Sequence, residues 1–258
     1  MPTSQRYFDH SRGRLDYLAH VSRRHRAVFV EVPKAGCTVV KRVLRHSEHA
    51  GRPYDRSVSV HDRAASPLGA PVRDGFDLEE LFGPHGGYVR FGFVRNPFTR
   101  ALSCYLEKIA GEQWLRDLRL PKLGFRPDEE VSFRDFLERV AQQEPRRMDI
   151  HWAPQAHLLG LDRVGYAFLG RFESFRSDLL TVMRVLDIDA PEELWTTGTP
   201  HTTNAGALLA RHYDEECADL VRSVYAVDFQ RLGYGTDLRF AGETGADRAP
   251  RRRHWLGG

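Results

Sequence analysis

Short apolar runs and stretches of helical periodicity alternate along this chain. The run AVFVEV at residues 27–32 is apolar and β-branched and stops at Pro33, so it predicts a buried strand. After a loop, apolar residues between 39 and 44 recur at helical spacing, and Thr38 is placed to cap that helix. The segment therefore predicts a strand, a loop and a helix.

The same arrangement occurs twice more. Residues 88–94 form an aromatic and β-branched run, and Asn96 and Pro97 follow as a cap and a first helical residue. Residues 166–172 form a third run, and apolar positions recur at helical spacing from 175 to 186. Strands that alternate with amphipathic helices predict an α/β fold with a central parallel sheet flanked by helices.

The remaining segments set the expected domain limits. We predict one domain over residues 27–235, an N-terminal extension over 1–26, and a disordered, polar and charged tail over 236–258. The polar loop 190–205 is long for a compact domain, which is typical of functional segments.

Charge and cysteine content narrow the class of protein. The chain has 258 residues and a formal net charge of +3, carried almost entirely by arginine. Lysine occurs at only four positions, Lys34, Lys41, Lys108 and Lys122. A lysine in a predicted loop is therefore informative, because it supplies a compact point charge. The three cysteines are scattered without a CxxC pair, which favours a reducing compartment, and we expect a cytoplasmic protein without a zinc site.

Two classes of partner are not expected from the sequence. No apolar stretch approaches the roughly eighteen residues that a membrane-spanning helix needs. No basic run is interleaved with aromatic residues, so we expect no nucleic-acid partner. The mild positive charge suits an anionic ligand, with diffuse surface charge as the alternative explanation.

The loop PKAGCT, residues 33–38, is the first candidate site. Ligands of parallel sheets bind beyond the carboxyl ends of strands, and the unpaired N–H groups that begin a helix attract anions. Gly36 would permit close approach of the backbone, Lys34 adds a charge, and Thr38 adds a hydroxyl donor. The pattern predicts an anion site, with an ordinary tight connection as the alternative.

A kinase is one alternative use of such a loop. The Walker pattern is absent, because Lys34 precedes Gly36 and no serine or threonine follows the lysine directly. Magnesium in those enzymes is also held by an acidic strand end, whereas the second predicted strand ends at Arg95.

A second candidate site follows that strand. Arg95 closes the strand, and Ser103 lies nearly two helical turns beyond Pro97. An arginine and a serine so placed can converge on one phosphate if the helix leans over the sheet edge. Two anion sites at two strand ends would suit a nucleotide with two separated phosphates.

Together these segments resemble the PAPS-dependent sulfotransferases, in the branch of the carbohydrate sulfotransferases of the chondroitin and HNK-1 type. The matching segments occur in the family's order: VPKAGCTVVKRVL at 32–44, FVRNPFTRALSCY at 93–105, HWAPQ at 151–155, YAFLGRFESF at 166–175 and VYAVDFQRLGYG at 224–235. The resemblance implies a P-loop-kinase-like sulfotransferase fold and metal-free transfer of a sulfuryl group from 3′-phosphoadenosine 5′-phosphosulfate (PAPS) to a hydroxyl, with PAP as the product.

The resemblance also implies roles for individual residues. The cradle of the 5′-phosphosulfate would be Lys34, Ala35, Gly36, Cys37, Thr38 and Val39. Arg95 and Ser103 would bind the 3′-phosphate. Lys34 would stabilise the negative charge that grows on the bridging oxygen as the sulfuryl group leaves. Plain phosphate binding is the alternative role for Lys34.

A histidine is expected to accept the proton of the acceptor hydroxyl. His61 is the first candidate, because Val58 and Val60 predict a short strand that ends there, and related sulfotransferases place a histidine at this point. The alternative is a surface-loop histidine. His151 is the second candidate, and the polar loop around residues 201–204 is expected to close over the adenosine.

The resemblance leaves the acceptor open. The familiar eukaryotic members are Golgi proteins with a membrane anchor and lumenal disulfides, and this sequence predicts neither. We expect a carbohydrate or a glycan-containing metabolite as acceptor, and the oligomeric state is not predicted. The competing functions are a metal-dependent small-molecule kinase and a non-catalytic nucleotide-binding protein of the same fold.

Overall fold

The computed structural model of the chain describes residues 6–196, 205 and 207–241. Their contacts divide them into two compact units. Unit 1 holds residues 6–94 and 158–196, and unit 2 holds residues 95–157, 205 and 207–241. The first predicted anion loop lies in unit 1, whereas Arg95 and Ser103 lie in unit 2.

Strands β1 to β4 are short and are all in unit 1: Ala19–Ser22, Ala27–Val30, Val89–Val94 and Phe168–Arg171. Helices α1 to α12 are, in chain order, Arg12–Leu18, Cys37–Glu48, Leu78–Phe82, Pro97–Lys108, Gln113–Arg119, Phe133–Ala141, Gln155–Leu158, Phe175–Val185, Glu193–Thr196, Leu209–His212, Glu215–Val224 and Ala226–Leu232. Among the described residues, 3-10 turns occupy Leu120–Leu123, Phe172–Ser174 and Leu238–Phe240.

The sheet has the order β1-β2-β3-β4 and mixed strand directions. β2 pairs with β3 and β3 with β4 in parallel, but β1 pairs with β2 in antiparallel register, from Ala19 opposite Val30 to Ser22 opposite Ala27. The α/β class is confirmed, and the predicted parallel sheet is present as β2, β3 and β4, whereas the antiparallel β1 makes the whole sheet mixed. Because only residues 23–26 join β1 to β2, the connection is too short for a parallel crossover.

β1 also lies inside residues 1–26, the segment expected to be an extension. All four of its residues are buried, as are all four of β2. On the side away from β2, Val21 forms two backbone hydrogen bonds with Gly69, of 3.0 and 2.8 Å. The first strand is thus a structural part of the sheet.

The central strands are buried as parallel strands usually are. Val28 and Val30 of β2 have no exposed surface, and the ring of Phe29 stacks on that of Phe91 in β3 at 5.3 Å. Stacked aromatic pairs of this kind fix the register of neighbouring strands. Because β2 and β3 are parallel neighbours, their carboxyl ends lie at the same edge of the sheet.

Of the two predicted helix caps, Asn96 is a cap and Thr38 is not. Asn96 caps α4 as predicted, since its side chain accepts a hydrogen bond from the backbone N–H of Phe98, and Pro97 is the first helical residue. Thr38 does not cap α2. The cap is Gly36, which has a φ of 84° and forms no side-chain hydrogen bond, and Thr38 is already within the helix.

The short strand predicted from Val58 and Val60 is wrong, because residues 57–61 form bends and turns. Arg45 of α2 fixes this segment instead. One of its guanidinium nitrogens donates to the carbonyl oxygens of Val58 and Ser59, at 3.3 and 3.0 Å. A buried side chain, and not strand pairing, therefore positions the residues that precede His61.

Unit 2 is organised around buried aromatic side chains. Trp152 is 1% exposed, and the hydroxyl of Tyr225 donates to its carbonyl oxygen at 2.9 Å. The edge of Trp152 also contacts the ring of Phe136 on α6. Within the expected tail, Leu238–Phe240 form a 3-10 turn, and residues 242–258 lie outside the described part of the chain.

Candidate functional site

The loop between β2 and α2 has an unusual backbone. Lys34 has a φ of 73° and Gly36 a φ of 84°, both in the left-handed region. That region is uncommon for a residue with a side chain and costs about 1–2 kcal/mol there. Strained residues of this kind concentrate at functional sites.

The ring of Phe175, the first residue of α8, lies directly over Gly36. A Cβ atom on residue 36 would be 2.4 Å from Cε2 of Phe175. Ala35, Cys37 and Val39 are buried, so these residues would offer a ligand their backbone groups. As at any helix start, the first N–H groups of α2 have no acceptor within the helix.

Thr38 and His61 lie within hydrogen-bond distance of each other. The Oγ1 atom of Thr38 is 3.3 Å from Nε2 of His61, and Nδ1 of His61 is 2.9 Å from Nζ of Lys41. His61 itself is exposed, whereas Lys41 is 1% exposed. The structure therefore brings together two residues that the sequence named separately.

Lys41 belongs to a buried charged group that sequence reasoning missed. Its ammonium is 2.6 Å from Oε2 of Glu31, which also accepts a hydrogen bond from Nε2 of His20 at 3.0 Å. On the other side of the His20 ring, Arg63 donates to Nδ1 at 2.6 Å. Glu31 and His20 are each 1% exposed, so the group is shielded from water.

Burial and charge set the protonation of this group. Burial alone would raise the pKa of Glu31, but the charge of Lys41 and the hydrogen bonds from His20 and Lys41 outweigh it, so the pKa lies well below its ordinary value. Burial lowers the pKa of His20 from 6.5 to about 4 despite the neighbouring carboxylate. Near neutral pH, Glu31 is charged and His20 is neutral.

In unit 2, the backbone of Arg95 forms two hydrogen bonds with the side chain of Gln155. The backbone N–H of Arg95 donates to Oε1 of Gln155 at 2.9 Å, and Nε2 of Gln155 donates to the carbonyl oxygen of Arg95 at 2.7 Å. The Nε atom of Arg95 donates to the hydroxyl of Thr99, one turn along α4. These bonds fix the backbone and the side-chain root of Arg95 at the start of that helix.

Asp228 fixes Gln155 in turn. Its two carboxylate oxygens accept the backbone N–H groups of Gln155 and Ala156, both at 2.8 Å. Asp228 has no exposed surface, and burial raises its pKa, although hydrogen bonds from Ala156 and Gln155 and the charge of Arg100 oppose the rise. Three of the recognised sequence segments thus meet at Arg95, Gln155 and Asp228.

Of the two residues predicted to bind a 3′-phosphate, Arg95 precedes α4 and Ser103 lies in the middle of that helix. Arg95 is 8% exposed and Ser103, one turn beyond Thr99, is 2% exposed. Both side chains are therefore largely buried. Gln155 and Asp228 lie in sequence segments that resemble the family. No sequence pattern predicted the hydrogen bonds that they form.

His151 forms a separate pair with Asp149. Nδ1 of His151 is 2.6 Å from Oδ1 of Asp149, whose other oxygen accepts from Lys122 at 2.5 Å and Arg119 at 3.2 Å. Burial lowers the pKa of His151 from 6.5 to about 4, and its pairing with Asp149 opposes this only in part. The ring is therefore neutral near pH 7 and oriented by a carboxylate.

Three further expectations concern the loop 201–204, membrane-spanning helices and the cysteines. The residues 201–204, expected to close over the adenosine, lie outside the described part of the chain. Throughout the described residues, no helix combines the length and the apolar character needed to cross a membrane. Cys37, Cys104 and Cys217 are buried, and none of them forms a disulfide.

Comparison with known proteins adds an independent line of evidence. Carbohydrate sulfotransferase 14 of Homo sapiens is 28% identical over 190 residues, which cover 70% of this chain and 47% of that protein. Carbohydrate sulfotransferase 8 of Mus musculus is 31% identical over 193 residues, covering 68% and 45%. Carbohydrate sulfotransferase 9 of Homo sapiens is 28% identical over 242 residues, covering 84% and 53%. The chain spans about half the length of the curated relatives it matches.

No solved structure gave a significant match. Residues 18–235 match the sequence profile described as the Sulfotransferase family. The matched range includes both candidate regions, from the loop at Lys34 to the hydrogen bonds of Asp228. The resemblance inferred from the sequence motifs is confirmed, and the chain belongs to the sulfotransferase family.

Proposed function

We propose that the protein transfers the sulfuryl group of PAPS to a hydroxyl of a carbohydrate or a glycan-containing metabolite. The family assignment supports sulfuryl transfer, and the names of the matched relatives support a carbohydrate acceptor. PAPS supplies an activated sulfuryl group, so the protein has to bind the nucleotide, orient it and stabilise the charge that the reaction develops.

The observation that carries the proposal is the loop between β2 and α2. It lies beyond the carboxyl end of a parallel strand, and its lysine and glycine both have left-handed backbone conformations. N–H groups at the start of α2 and the charge of Lys34 would hold the 5′-phosphosulfate. The strand, loop and helix at this point support the finer proposal of a P-loop-kinase-like arrangement.

Lys34 is the residue that we propose acts on the reaction itself. As the bond to sulfur breaks, negative charge develops on the oxygen that bridges to the 5′-phosphate. A fixed ammonium near that oxygen stabilises the transition state more than the ground state, and groups of this type contribute about a hundredfold or more to turnover. The left-handed backbone of Lys34 is a strained conformation of the kind that concentrates at functional sites, which supports a functional role for this residue.

Arg95 and Ser103 are proposed to bind the 3′-phosphate. Arginine forms charge-assisted hydrogen bonds with phosphate, and the bonds from Gln155 fix Arg95 at the start of α4. Because Arg95 follows β3 and the Lys34 loop follows β2, the two proposed phosphate sites follow neighbouring parallel strands. The family assignment supports a donor nucleotide that carries both phosphates.

A proton acceptor is also required, and the sequence offers His61 and then His151. The carboxylate of Asp149 accepts Nδ1–H of His151, which leaves the lone pair on Nε2, the arrangement of an oriented general base. His61 is held differently, since Nδ1 of its ring faces the ammonium of Lys41.

The experiment that tests the proposed function is calorimetric titration with adenosine 3′,5′-bisphosphate, in parallel with AMP and with ATP plus magnesium. Metal-independent binding of the bisphosphate, with much weaker binding of AMP, is the expected result. A preference for ATP plus magnesium would favour the kinase, and added EDTA would then abolish activity. Independence from metal and the cytoplasmic location both stay predictions.

Acceptor screening follows from a positive titration. Transfer of radiolabelled sulfate from PAPS to a panel of oligosaccharides should label at least one member. Binding of the bisphosphate without transfer to any hydroxyl acceptor, or to water, would favour the non-catalytic nucleotide-binding protein.

A further inference from the structure

Lys41 is a buried cation that contacts two partners at once. Its Nζ atom lies 2.6 Å from Oε2 of Glu31 and 2.9 Å from Nδ1 of His61. An ammonium group has only donors, so both partner atoms are acceptors. Nδ1 of His61 therefore presents its lone pair to Lys41.

This contact determines where the proton of a neutral His61 ring resides. With the lone pair on Nδ1, the hydrogen is on Nε2, and Nε2 lies 3.3 Å from Oγ1 of Thr38. The ring thus donates to the threonine hydroxyl. When that oxygen accepts a hydrogen bond, its own O–H is available to donate to another group.

We propose that His61 is a positioning residue that acts through Thr38, and that Lys41, held by Glu31, fixes the tautomer required for this. In the proposal, Nε2–H of His61 fills a lone pair of Thr38, and the hydroxyl of Thr38 donates to the 5′-phosphosulfate of the nucleotide. The inference rests on the proposed function, because it requires a phosphate group at the β2–α2 loop.

The same contact makes His61 a poor proton acceptor. The lone pair of its neutral ring lies on the side of Lys41, 2.9 Å from the ammonium. Taking up a proton at Nδ1 would place an imidazolium against that cation, with no donor–acceptor pair left between them. The geometry therefore favours a hydrogen-bond donor over a general base at this position.

Neighbouring side chains hold Lys41 and His61 in this arrangement before a ligand binds. The oxygen of Glu31 that contacts Lys41 also accepts a hydrogen bond from His20, and Arg63 holds the His20 ring in turn. Arg63 also donates to the carbonyl oxygens of Asp16, Ala19 and Gly69, at 3.0 to 3.1 Å. Because Arg63 is only two residues beyond His61, these bonds restrict the backbone that carries the histidine.

A double-mutant cycle tests the inference without knowledge of the acceptor. The readout is the calorimetric dissociation constant for adenosine 3′,5′-bisphosphate, measured for the wild-type protein, Thr38→Ala, His61→Ala and the double variant. Loss of a hydroxyl that donates to a charged phosphate should weaken binding by about tenfold or more. His61→Ala should weaken binding by several-fold in the wild-type background and add nothing in the Thr38→Ala background.

Rescue by a conservative variant separates positioning from general structural effects. His61→Gln retains an N–H near the position of Nε2 and should bind the bisphosphate nearly as tightly as the wild type. His61 is exposed, so its replacement leaves no buried cavity. His85→Ala, at an exposed histidine of the same unit that no described hydrogen bond links to the loop, is the matched control and should leave binding unchanged.

Turnover with a labelled acceptor gives the second readout. A positioning residue predicts that His61→Gln retains most of the wild-type turnover, whereas loss of a general base would lower turnover by about a hundredfold or more with binding intact. That loss would overturn the inference, as would a wild-type dissociation constant for His61→Ala or additive effects in the cycle. Failure of the wild-type protein to bind the bisphosphate would instead overturn the proposed function and the inference together.

Discussion

The ring of Phe175 occupies the space that a side chain on residue 36 would need. A Cβ atom there would be 2.4 Å from Cε2 of the ring, and residue 36 also has a φ of 84°. We expect Gly36→Ala to destabilise the protein by about 1–2 kcal/mol from the backbone conformation alone. The close contact should weaken binding of adenosine 3′,5′-bisphosphate as well, as measured by calorimetry.

Two variants separate the contributions to that effect. Gly36→Ala combined with Phe175→Leu should recover part of the stability, because the ring is removed while the backbone strain remains. Gly13→Ala, in the open surroundings of α1, should leave stability unchanged or slightly raised. Wild-type stability in Gly36→Ala would show that the loop can adopt another backbone conformation.

Lys34→Ala should reduce turnover by about a hundredfold or more, since a preorganised cation would be lost from the developing charge. Steady-state kinetics over a range of PAPS concentrations is the measurement. If Lys34 only binds the phosphate, the KM for PAPS will rise and kcat will be spared. Arg147→Ala removes a cation that is 86% exposed and is expected to change neither constant.

Arg95→Ala should weaken binding of adenosine 3′,5′-bisphosphate by about tenfold or more and that of AMP much less. A hydrogen bond to a charged group contributes about 1.5–3 kcal/mol, and AMP lacks the 3′-phosphate that would receive it. Calorimetry with both nucleotides provides the comparison. Equal losses for the two ligands would mean that Arg95 does not contact the 3′-phosphate.

Asp228→Asn should lower the free energy of unfolding by about 1–3 kcal/mol. The amide would keep one acceptor for the N–H groups of Gln155 and Ala156 and turn a donor towards the other, which leaves a buried donor unsatisfied. Chemical denaturation measures the change. The exposed carboxylate of Asp189 supplies the control, since Asp189→Asn should be neutral, and an equally neutral Asp228→Asn would refute the structural role of Asp228.

Acidification should destabilise the protein through His20. Its pKa is 6.5 when exposed and about 4 in the folded state, so the unfolded chain binds the proton more tightly and stability falls as pH decreases between these values. The loss attributable to this residue is up to about 3 kcal/mol. In His20→Gln this loss should be absent, so the difference in stability from the wild type should shrink as pH falls from 6.5 to 4, as measured by denaturation at each pH.

Local sequence signals were sufficient for strands β2 to β4 of unit 1 and for the start of the first helix of unit 2. β2 and β3 are apolar runs that end at recognisable breakers, and Asn96 with Pro97 marks the start of α4. The strand at 168–171 and the helix after it were predicted from the same alternation. These features depend on side-chain periodicity and capping, which are encoded within a few residues.

Long-range contacts determine the structural features that the sequence patterns did not predict. β1 is a strand because residues 27–30 supply its partner, and Val58 and Val60 form no strand because Arg45 binds that segment. The hydrogen bonds of Gln155 with Arg95 and of Lys41 with Glu31 join residues far apart or on different elements. A period of two or 3.6 residues carries no information about such pairs.

Glu31 and Asp228 are buried carboxylates that are stabilised in the same way. Both are buried carboxylates whose charge is compensated by donors from other segments, Lys41 and His20 for Glu31 and two backbone N–H groups for Asp228. Buried polar groups need such partners. These hydrogen-bond partners come from other segments of the chain, so the sequence alone does not identify them.

The position of β1 also protects the protein from self-association. β1 covers one side of β2, and the bonds between Val21 and Gly69 occupy part of its own outer edge. A shortened chain that begins at residue 27 would leave the backbone of AVFV unpaired along that side, beside apolar side chains that are buried in the full chain. An uncovered apolar edge of this kind recruits strands from other molecules. Removing the first 26 residues should therefore make the protein aggregate more readily than the full chain, as measured by light scattering.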